Sequence, residues 1–354
     1  MKVQKLSLVF FKNHTDLHLE MDEVVAIAGL NGVGKTSVLD ALHFLCLGKS
    51  YFSSTDIQCI QTDKIQSGII AQIITHENID LKVKLKRGSK KTIQRNGVVR
   101  KKLADHVGEF IAVIIAPNDI ELIYGTHEKR RSFINQVISQ VNKKHLQELL
   151  TYNKLIEHRN KHLKEETIDR ALIQTIDEQI SPIAHSIHQV RLEFFNEFST
   201  YFQTRYHEIS GQKEEIKLSY ISQLDDDSYL NLTPQYYTKD VALRRSSCGI
   251  HKDEIEIELN HLNLRKYGSQ GQIKSGLIAL KLAEYSFLSD KINTKPLLLL
   301  DDIFEKIDEE RAKVLTQIIK NDNFGQIFIT DTDSSRLESF CEEIGKPFKT
   351  ITLH

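Results

Sequence analysis

Residues 23–48 read EVVAIAGLNGVGKTSVLDALHFLCLG, and three local patterns follow one another within them. EVVAIAG, residues 23–29, is a short apolar run of strand length. A glycine-rich turn comes next, and TSVLDALHFLCLG then places apolar residues at helical spacing until Gly48 stops them. GLNGVGKT, Gly29 to Thr36, fits the phosphate-loop pattern and has the strand before it and the helix after it that the pattern needs. Glycine lets the backbone through Gly29, Leu30, Asn31, Gly32, Val33 and Gly34 curl its amides around phosphate oxygens. Lys35 supplies a cation, the Thr36 hydroxyl a ligand for Mg²⁺, and Ser37 continues the loop into the helix.

A phosphate loop needs a distant acid for its metal. KPLLLLDDIF supplies a candidate, an apolar strand ending in Asp301 and Asp302. Carboxylates so placed stand at the C-terminal edge of a parallel sheet, where ligands gather. Asp301 is expected to hold Mg²⁺, through water, and Asp302 to polarise an attacking water. Taken alone, an Asp-Asp pair after a strand reads equally well as a turn or helix cap; Lys35 is what decides. From 267 the chain runs YGSQGQIKSGLIALKLAE, small and polar residues opening a helix. The first amides of a helix have no internal partner, so this is an anion receptor or a polar cap.

The remaining pattern assembles around these segments. VQKLSLVFF and LHLEM alternate as a hairpin, and SGIIAQII, IDLKVKL and KTIQR continue the β pattern, with a tight turn expected at Asn96-Gly97. FIAVIIAP is a buried strand ended by Pro117. From 118 to 245 long amphipathic stretches read as helices that Pro182 breaks apart, a compact helical arm. Afterwards EIEIELN and QIFIT read as strands and ERAKVLTQIIKN as a helix. The expected architecture is an α/β head built from both chain ends with the arm inserted: residues 1–117, 118–245 and 246–354.

With 354 residues, 40% of them hydrophobic, the chain can bury a core, and its length suggests two lobes. No apolar run reaches membrane-spanning length, and the first residues turn charged too early for a signal peptide. Cys46, Cys59, Cys248 and Cys341 are scattered without metal or disulfide spacing, so a reduced cytoplasmic setting is expected. Net charge is −1, which argues against a globally basic coat, but KVKLKRGSKKTIQRNGVVRKK, residues 82–102, carries ten Lys or Arg and no acid. Lys84, Lys86, Arg87, Lys90 and Lys91 there are candidate contacts to a DNA backbone, against the plainer reading of lysines that keep an edge strand from pairing. Lys129, Arg130 and Arg131 could extend that patch or serve a helix surface. His251 has no second ligand at usable spacing.

SQGQ resembles the signature motif of ABC-type ATPases, in which it reaches the γ-phosphate of ATP held by a second copy; Ser269, Gly271 and Gln272 match, and Gln270 replaces a glycine. NGVGKTSVLDALHFLCLGKS, YNKLIEHRNKHLK, GIHKDEIEIEL, YGSQGQIKSGLIALKLAE and LLLLDDIFEKID resemble the RecF family of bacterial recombination-repair ATPases. The resemblance implies an SMC-like head without the long coil, with ATP and Mg²⁺ as ligands. It also implies a homodimer that forms with ATP on double-stranded or gapped DNA, RecR- and RecO-type partners, and help in loading recombinase at gaps or stalled forks. Carried over residue by residue, Lys35 and Thr36 fall in the phosphate loop, Asp301 and Asp302 in the acid pair, Ser269 in the signature, and Asp308 where an aspartate crosses the dimer. Lys12 and Asn13 match a loop that approaches the nucleotide, or form a surface turn. Phe52 and Thr55 stand where the family leads one to expect arginines, and GIHKDE keeps Gly249, His251 and Asp253 of an expected GPHRDD. Ile273 and Lys274 replace glutamine and arginine, Asp331 occupies the neighbourhood of a switch histidine, and Asn118 lies near a lobe-joining glutamine. Asp302 is a methylene shorter than the glutamate common in ABC ATPases, which implies slow hydrolysis. A different class stays open: an ATP-gated module whose arm docks a protein and which touches DNA only indirectly.

Overall fold

The computed structural model describes residues 1–211, 214–306, 308–322 and 324–354. It divides into two units, Met1–Asp119 with Leu280–His354, and Ile120–Ala279. The first opens with β1 (Lys2–Phe11), β2 (His14–Glu20), β3 (Val24–Ala28) and α1 (Lys35–Leu47). β4 (Gln66–Ile74), β5 (Asn78–Lys86), β6 (Thr92–Arg95), β7 (Val98–Val99) and β8 (Ala112–Ile115) follow.

The second unit holds α2 (Glu121–Tyr124), α3 (His127–Val141), α4 (Lys143–His162), α5 (Arg170–Ser210), β9 (Ile216–Ile221) and α6 (Tyr229–Leu243). It continues through β10 (Glu254–Leu259), β11 (Leu262–Asn263) and α7 (Leu264–Tyr267) into α8 (Gln270–Ile292), whose residues from Leu280 onward count with the first unit. The first unit then closes with β12 (Leu297–Leu300), α9 (Ile303–Lys306), α10 (Glu309–Asn321), β13 (Ile327–Asp331), α11 (Ser334–Ile344) and β14 (Phe348–Thr352).

Two sheets build the first unit. A meander has the order β2-β1-β4-β5-β6-β7, antiparallel throughout. In β5, NIDLKVKLK, inward apolar residues alternate with outward polar ones, as a sheet with one wet face requires. Arg95 pairs with Val98 across the expected turn, and Asn96 and Gly97 take the positive φ angles, 49° and 80°, of a tight hairpin. The second sheet, β14-β3-β13-β12-β8, is parallel, and Val24–Ala28 and Leu297–Leu300 are buried along their whole length. Helix α1 lies between the sheets, with every residue but Thr36 buried, and one apolar core joins Leu39 and Leu42 to Ile69 and Leu81 on one side and Ile27 and Leu299 on the other. Its apolar residues run all round because both faces are covered.

Two expectations need correction in the second unit. Pro182 does not break the helices: α5 runs unbroken through it for 41 residues. Proline in a helix interior costs about 3 kcal/mol. Ile176, Ile180, Ala184 and Ile187 form a buried stripe on both sides of it, against Tyr152, Tyr229 and Ile250. Each large apolar side chain so buried contributes roughly 1.5–3 kcal/mol, so packing outweighs the local penalty. The arm is also not all helical. IKLSYI, residues 216–221, is β9, and EIEIEL pairs with it antiparallel, Ile255 opposite Tyr220. The strand read as the return to the head therefore belongs to the second unit, which extends to Ala279 and not to 245. Among the described residues no helix is long and apolar enough to cross a membrane.

Candidate nucleotide site

The loop between β3 and α1 is shaped by glycine where nothing else fits. Gly34, the N-cap of α1, has φ 100°, and a Cβ there would lie 2.6 Å from His14 Nε2. At Gly29, φ 154°, a Cβ would lie 2.7 Å from the Leu353 carbonyl oxygen. Gly34 offers no side-chain oxygen and no side chain caps the helix among the described residues. The Ser37 N–H closes onto the Gly34 carbonyl at 3.0 Å, and the amides ahead of it and the positive end of the helix dipole suit an anion.

The turn between β1 and β2 buttresses this loop. Asn13 Nδ2 donates to the Gly32 carbonyl at 2.8 Å, and His14 Nε2 lies 3.0 Å from the Gly34 carbonyl. Lys12, at φ 48°, turns elsewhere: its Nζ pairs with buried Asp40 at 2.6 Å and stands 5.6 Å from the Phe52 ring centroid. Asp40 also accepts the Ser50 hydroxyl and the Tyr51 N–H, both at 2.7 Å. At one of the positions where arginine was expected, Phe52 faces a lysine that Asp40 already holds; Thr55 is the N-cap of a single 3-10 turn at Asp56–Cys59.

Lys35 is buried, and its Nζ donates to the carbonyls of Gly29 at 2.8 Å and Leu30 at 3.3 Å. The sheet order puts β13 between β3 and β12, so the end of β13 lies between the phosphate loop and the acid pair. The Thr36 hydroxyl donates to Asp301 at 3.0 Å, and Thr330 Oγ1 donates to the same carboxylate at 2.9 Å. Thr330 also accepts the Asp302 N–H at 3.0 Å. Asp302 sits at φ 42°, left-handed for a residue with a side chain, a strain of about 1–3 kcal/mol of the kind found at functional sites. Thr330 was missed in the sequence; QIFIT ends on it, but only the order of the strands reveals what it faces.

Burial pushes the Asp301 carboxyl up to about 6, with Asp302 adding to the rise, against the pull of Thr330, Thr36 and Lys35. The donor set fits Mg²⁺. The Thr36 hydroxyl gives its proton to Asp301 and so keeps a lone pair for the ion, while the carboxylate is placed to hold a metal-bound water.

A stability prediction follows from this carboxyl. Its folded-state value lies above the ordinary one, so the protonated form is favoured by folding. The associated stability is full below the ordinary carboxylate range and is lost as pH rises through about 6. In nucleotide-free protein, wild type should lose about 1–1.5 kcal/mol more than Asp301→Asn between pH 5 and pH 8, the part of the total that remains above pH 5. Paired thermal melts at the two pH values measure it; equal losses would show that Asp301 ionises freely in the fold.

Other sequence-derived residues fall in both units. Ser269, exposed, caps α8 reciprocally with Gln272: the Gln272 N–H donates to Ser269 Oγ at 3.2 Å and the Ser269 N–H to Gln272 Oε1 at 2.7 Å. Gly271 lies in the first turn of that helix, and Gln272 Nε2 donates to Glu214 at 2.5 Å. Asp308, also exposed, caps α10; the Arg311 amide, 3.1 Å away, and guanidinium hold its carboxyl below the usual range. Asp331 is buried and accepts from Arg336 at 3.1 Å and from the Asp333 N–H at 2.9 Å, which closes the β13–α11 turn. Asn118 is exposed in a 3-10 turn, Pro117–Ile120.

In the basic stretch Lys84, Lys86 and Lys90 point to solvent. Arg87 folds back onto the carbonyls of Lys64 at 2.9 Å and Thr62 at 3.3 Å, and Lys91 pairs with Asp56 at 3.0 Å. Arg130 and Arg131 do not extend the patch: Arg130 is buried, donating to the Ile255 carbonyl at 2.8 Å, and Arg131 donates to the Asp253 carbonyl. Lys129 lies 3.9 Å from Glu121.

GIHKDE proves to be a packing element. Gly249, φ 112°, leaves room for Tyr152, whose Oη would lie 2.9 Å from a Cβ there. Tyr152 also bonds His251 Nδ1 at 2.7 Å, and burial pushes that imidazole down to about 4. Asp253 is buried, accepting from Arg191, from the Tyr220 hydroxyl at 2.5 Å and from the Ser222 hydroxyl at 2.6 Å.

A family profile described as an AAA domain matches residues 5–323. Over its full length and that of the relative, the chain is 38% identical to a protein of Flavobacterium johnsoniae named DNA replication and repair protein RecF. A Bacteroides thetaiotaomicron protein of the same name is also 38% identical, with 99% of this chain and 96% of that one covered. Among solved structures, the recombination mediator protein RecF-ATPrS in the RecFOR pathway superposes with a TM-score of 0.88 at 26% identity, covering 99% of this chain and 96% of that one. An Smc head domain from Pyrococcus furiosus, at TM-score 0.57 and 16% identity over 99% and 94% of the two chains, shares the fold.

Proposed function

Because the chain belongs to the RecF family of DNA replication and repair proteins, we propose that it is a DNA-binding ATPase of recombinational repair and replication-fork maintenance, dimerising with ATP and Mg²⁺ on double-stranded or gapped DNA. The observation that carries the reading is the chain of hydroxyls and carboxylates from Thr36 through Asp301 to Thr330, beside Lys35 and the uncapped start of α1. When ATP binds, Lys35 exchanges two loop carbonyls for phosphate oxygens, and the amides of residues 29–37 surround them. Thr36 and Asp301 would hold Mg²⁺, which neutralises phosphate charge. Asp302, its backbone fixed by Thr330, orients the attacking water. An aspartate reaches less far than a glutamate, so turnover is slow and hydrolysis acts as a timer. Exposed Ser269, with Gly271 and Gln272, and exposed Asp308 are the groups a second copy would bring to the γ-phosphate. RecR- and RecO-type proteins are the proposed partners, in recombinase loading at gaps, and the cytoplasm is the proposed setting.

The inward turn of Arg87 and Lys91 favours a second reading, an ATP-gated protein-docking module without direct DNA contact. Lys84→Glu, Lys86→Glu and Lys90→Glu together separate the two. If these lysines meet phosphates, affinity for gapped duplex should fall at least tenfold, and the slope of log K against log salt should flatten by about 0.9 per lost contact. Unchanged affinity and slope would favour the docking module.

A further inference from the structure

Helix α4 ends in HRNKH, and one turn separates its two histidines. Residues four apart on a helix share a face, and here the rings meet: His158 Nε2 and His162 Nε2 are 3.0 Å apart, with ring centroids at 4.6 Å. We propose that these two nitrogens form a surface chelate for a divalent transition-metal ion of the Cu²⁺ or Ni²⁺ type.

Three features carry the proposal. The first is distance. Two imidazole nitrogens bound to one metal at about 2.0–2.1 Å stand about 2.9 Å apart when the ligands are at right angles and about 3.3 Å apart in a tetrahedron. The observed 3.0 Å is that of the right-angled arrangement, which tetragonal Cu²⁺ and Ni²⁺ prefer and a structural Zn²⁺ does not.

The second is the carboxylate behind one ligand. Glu165 Oε1 is 3.0 Å from His162 Nδ1, near enough to act on it by charge but outside hydrogen-bond geometry, and that nitrogen is buried with no hydrogen-bond partner among the described residues. The negative charge of that carboxylate favours the ring proton on Nδ1, which leaves the Nε2 lone pair facing His158. Metal-binding histidines characteristically carry such a carboxylate. His158 then donates its Nε2 proton to His162 in the empty state, and moves it to Nδ1 when the metal arrives.

The third is rigidity. Arg159, between the two histidines, is fully buried and held by Asp177 at 2.7 Å and Asp240 at 2.6 Å, which fixes the rotation of the last turn of α4. Among the described residues no group of three or more His, Cys, Asp or Glu is arranged around one metal position. The chelate therefore supplies two ligands and leaves the rest to water or to a donor from another molecule.

Calorimetric titration of the untagged full chain with Ni²⁺ tests this, with the visible absorption of the bound ion as a second readout. One site is expected, weakened more than tenfold by His158→Ala and by His162→Ala, and by about 10–100-fold in Glu165→Gln, the range for loss of an outer partner. Far-UV circular dichroism checks that the variants keep their helices. An isotherm unchanged in either histidine variant overturns the chelate, and one unchanged in Glu165→Gln overturns the role given to the carboxylate.

Discussion

Lys35→Ala is expected to lower ATP affinity by about two orders of magnitude and to abolish ATP-driven dimerisation with it. Charge-assisted hydrogen bonds are worth about 1.5–3 kcal/mol each, and each 1.4 kcal/mol is tenfold in affinity. Lys35 makes two bonds to loop carbonyls, and the same reach brings its Nζ to phosphate oxygens. Alanine leaves the loop carbonyls to water and the phosphates short of a cation. Ser269→Arg is the companion that separates capture from closure. Ser269 is exposed; its hydroxyl accepts from the Gln272 N–H, its own N–H donates to Gln272 Oε1, and its carbonyl accepts from the Ile273 N–H. A bulky cation there should leave capture of nucleotide by the phosphate loop in place, because Ser269 is not part of that loop, while the protein stays monomeric. Sedimentation with ATP, with ADP and without nucleotide reads both outcomes. Dimers in Lys35→Ala, or undiminished dimers in Ser269→Arg, would sink the shared-nucleotide reading.

What the sequence made legible follows the range of the signal. Gly29 to Thr36 and the strand before Asp301 are contiguous patterns whose chemistry is local, and the structure places Thr36 on Asp301 although 265 positions separate them. Thr330 was not legible, because its role depends on β13 lying between β3 and β12. Pro182 misled because a residue's propensity says nothing of the buried stripe on either side of it. β9 was hidden for the complementary reason, since six alternating residues next to a 41-residue helix carry little periodic weight. Arg87 shows the limit for charge runs: composition counts a cation, and only the fold shows that the carbonyls of residues 62 and 64 have claimed it.

Arg159→Ala should destabilise the second unit by about 3–5 kcal/mol, the cost of leaving buried charge without its partner. The guanidinium is fully buried; Nε donates to Asp177 at 2.7 Å, and Nη1 donates to Asp240 at 2.6 Å and to Ser246 Oγ at 2.9 Å. These contacts join α4, α5, α6 and the segment after α6, so removing one side chain strands two carboxylates in the same core. Burial already pushes the Asp177 carboxyl up, and Arg159 is foremost among the groups that pull it back down. In the variant that pull disappears, the carboxyl must either stay protonated or be buried as an unpaired anion, and the loss of stability grows as pH rises. A loss of this size is a large share of the 5–15 kcal/mol of a whole domain, so urea unfolding should show an early transition absent from wild type. Arg159→Ala with Asp177→Asn and Asp240→Asn should recover part of it, because no unpaired charge is then left inside. A triple variant no more stable than the single one would mean that Arg159 acts by filling space and not by neutralising charge.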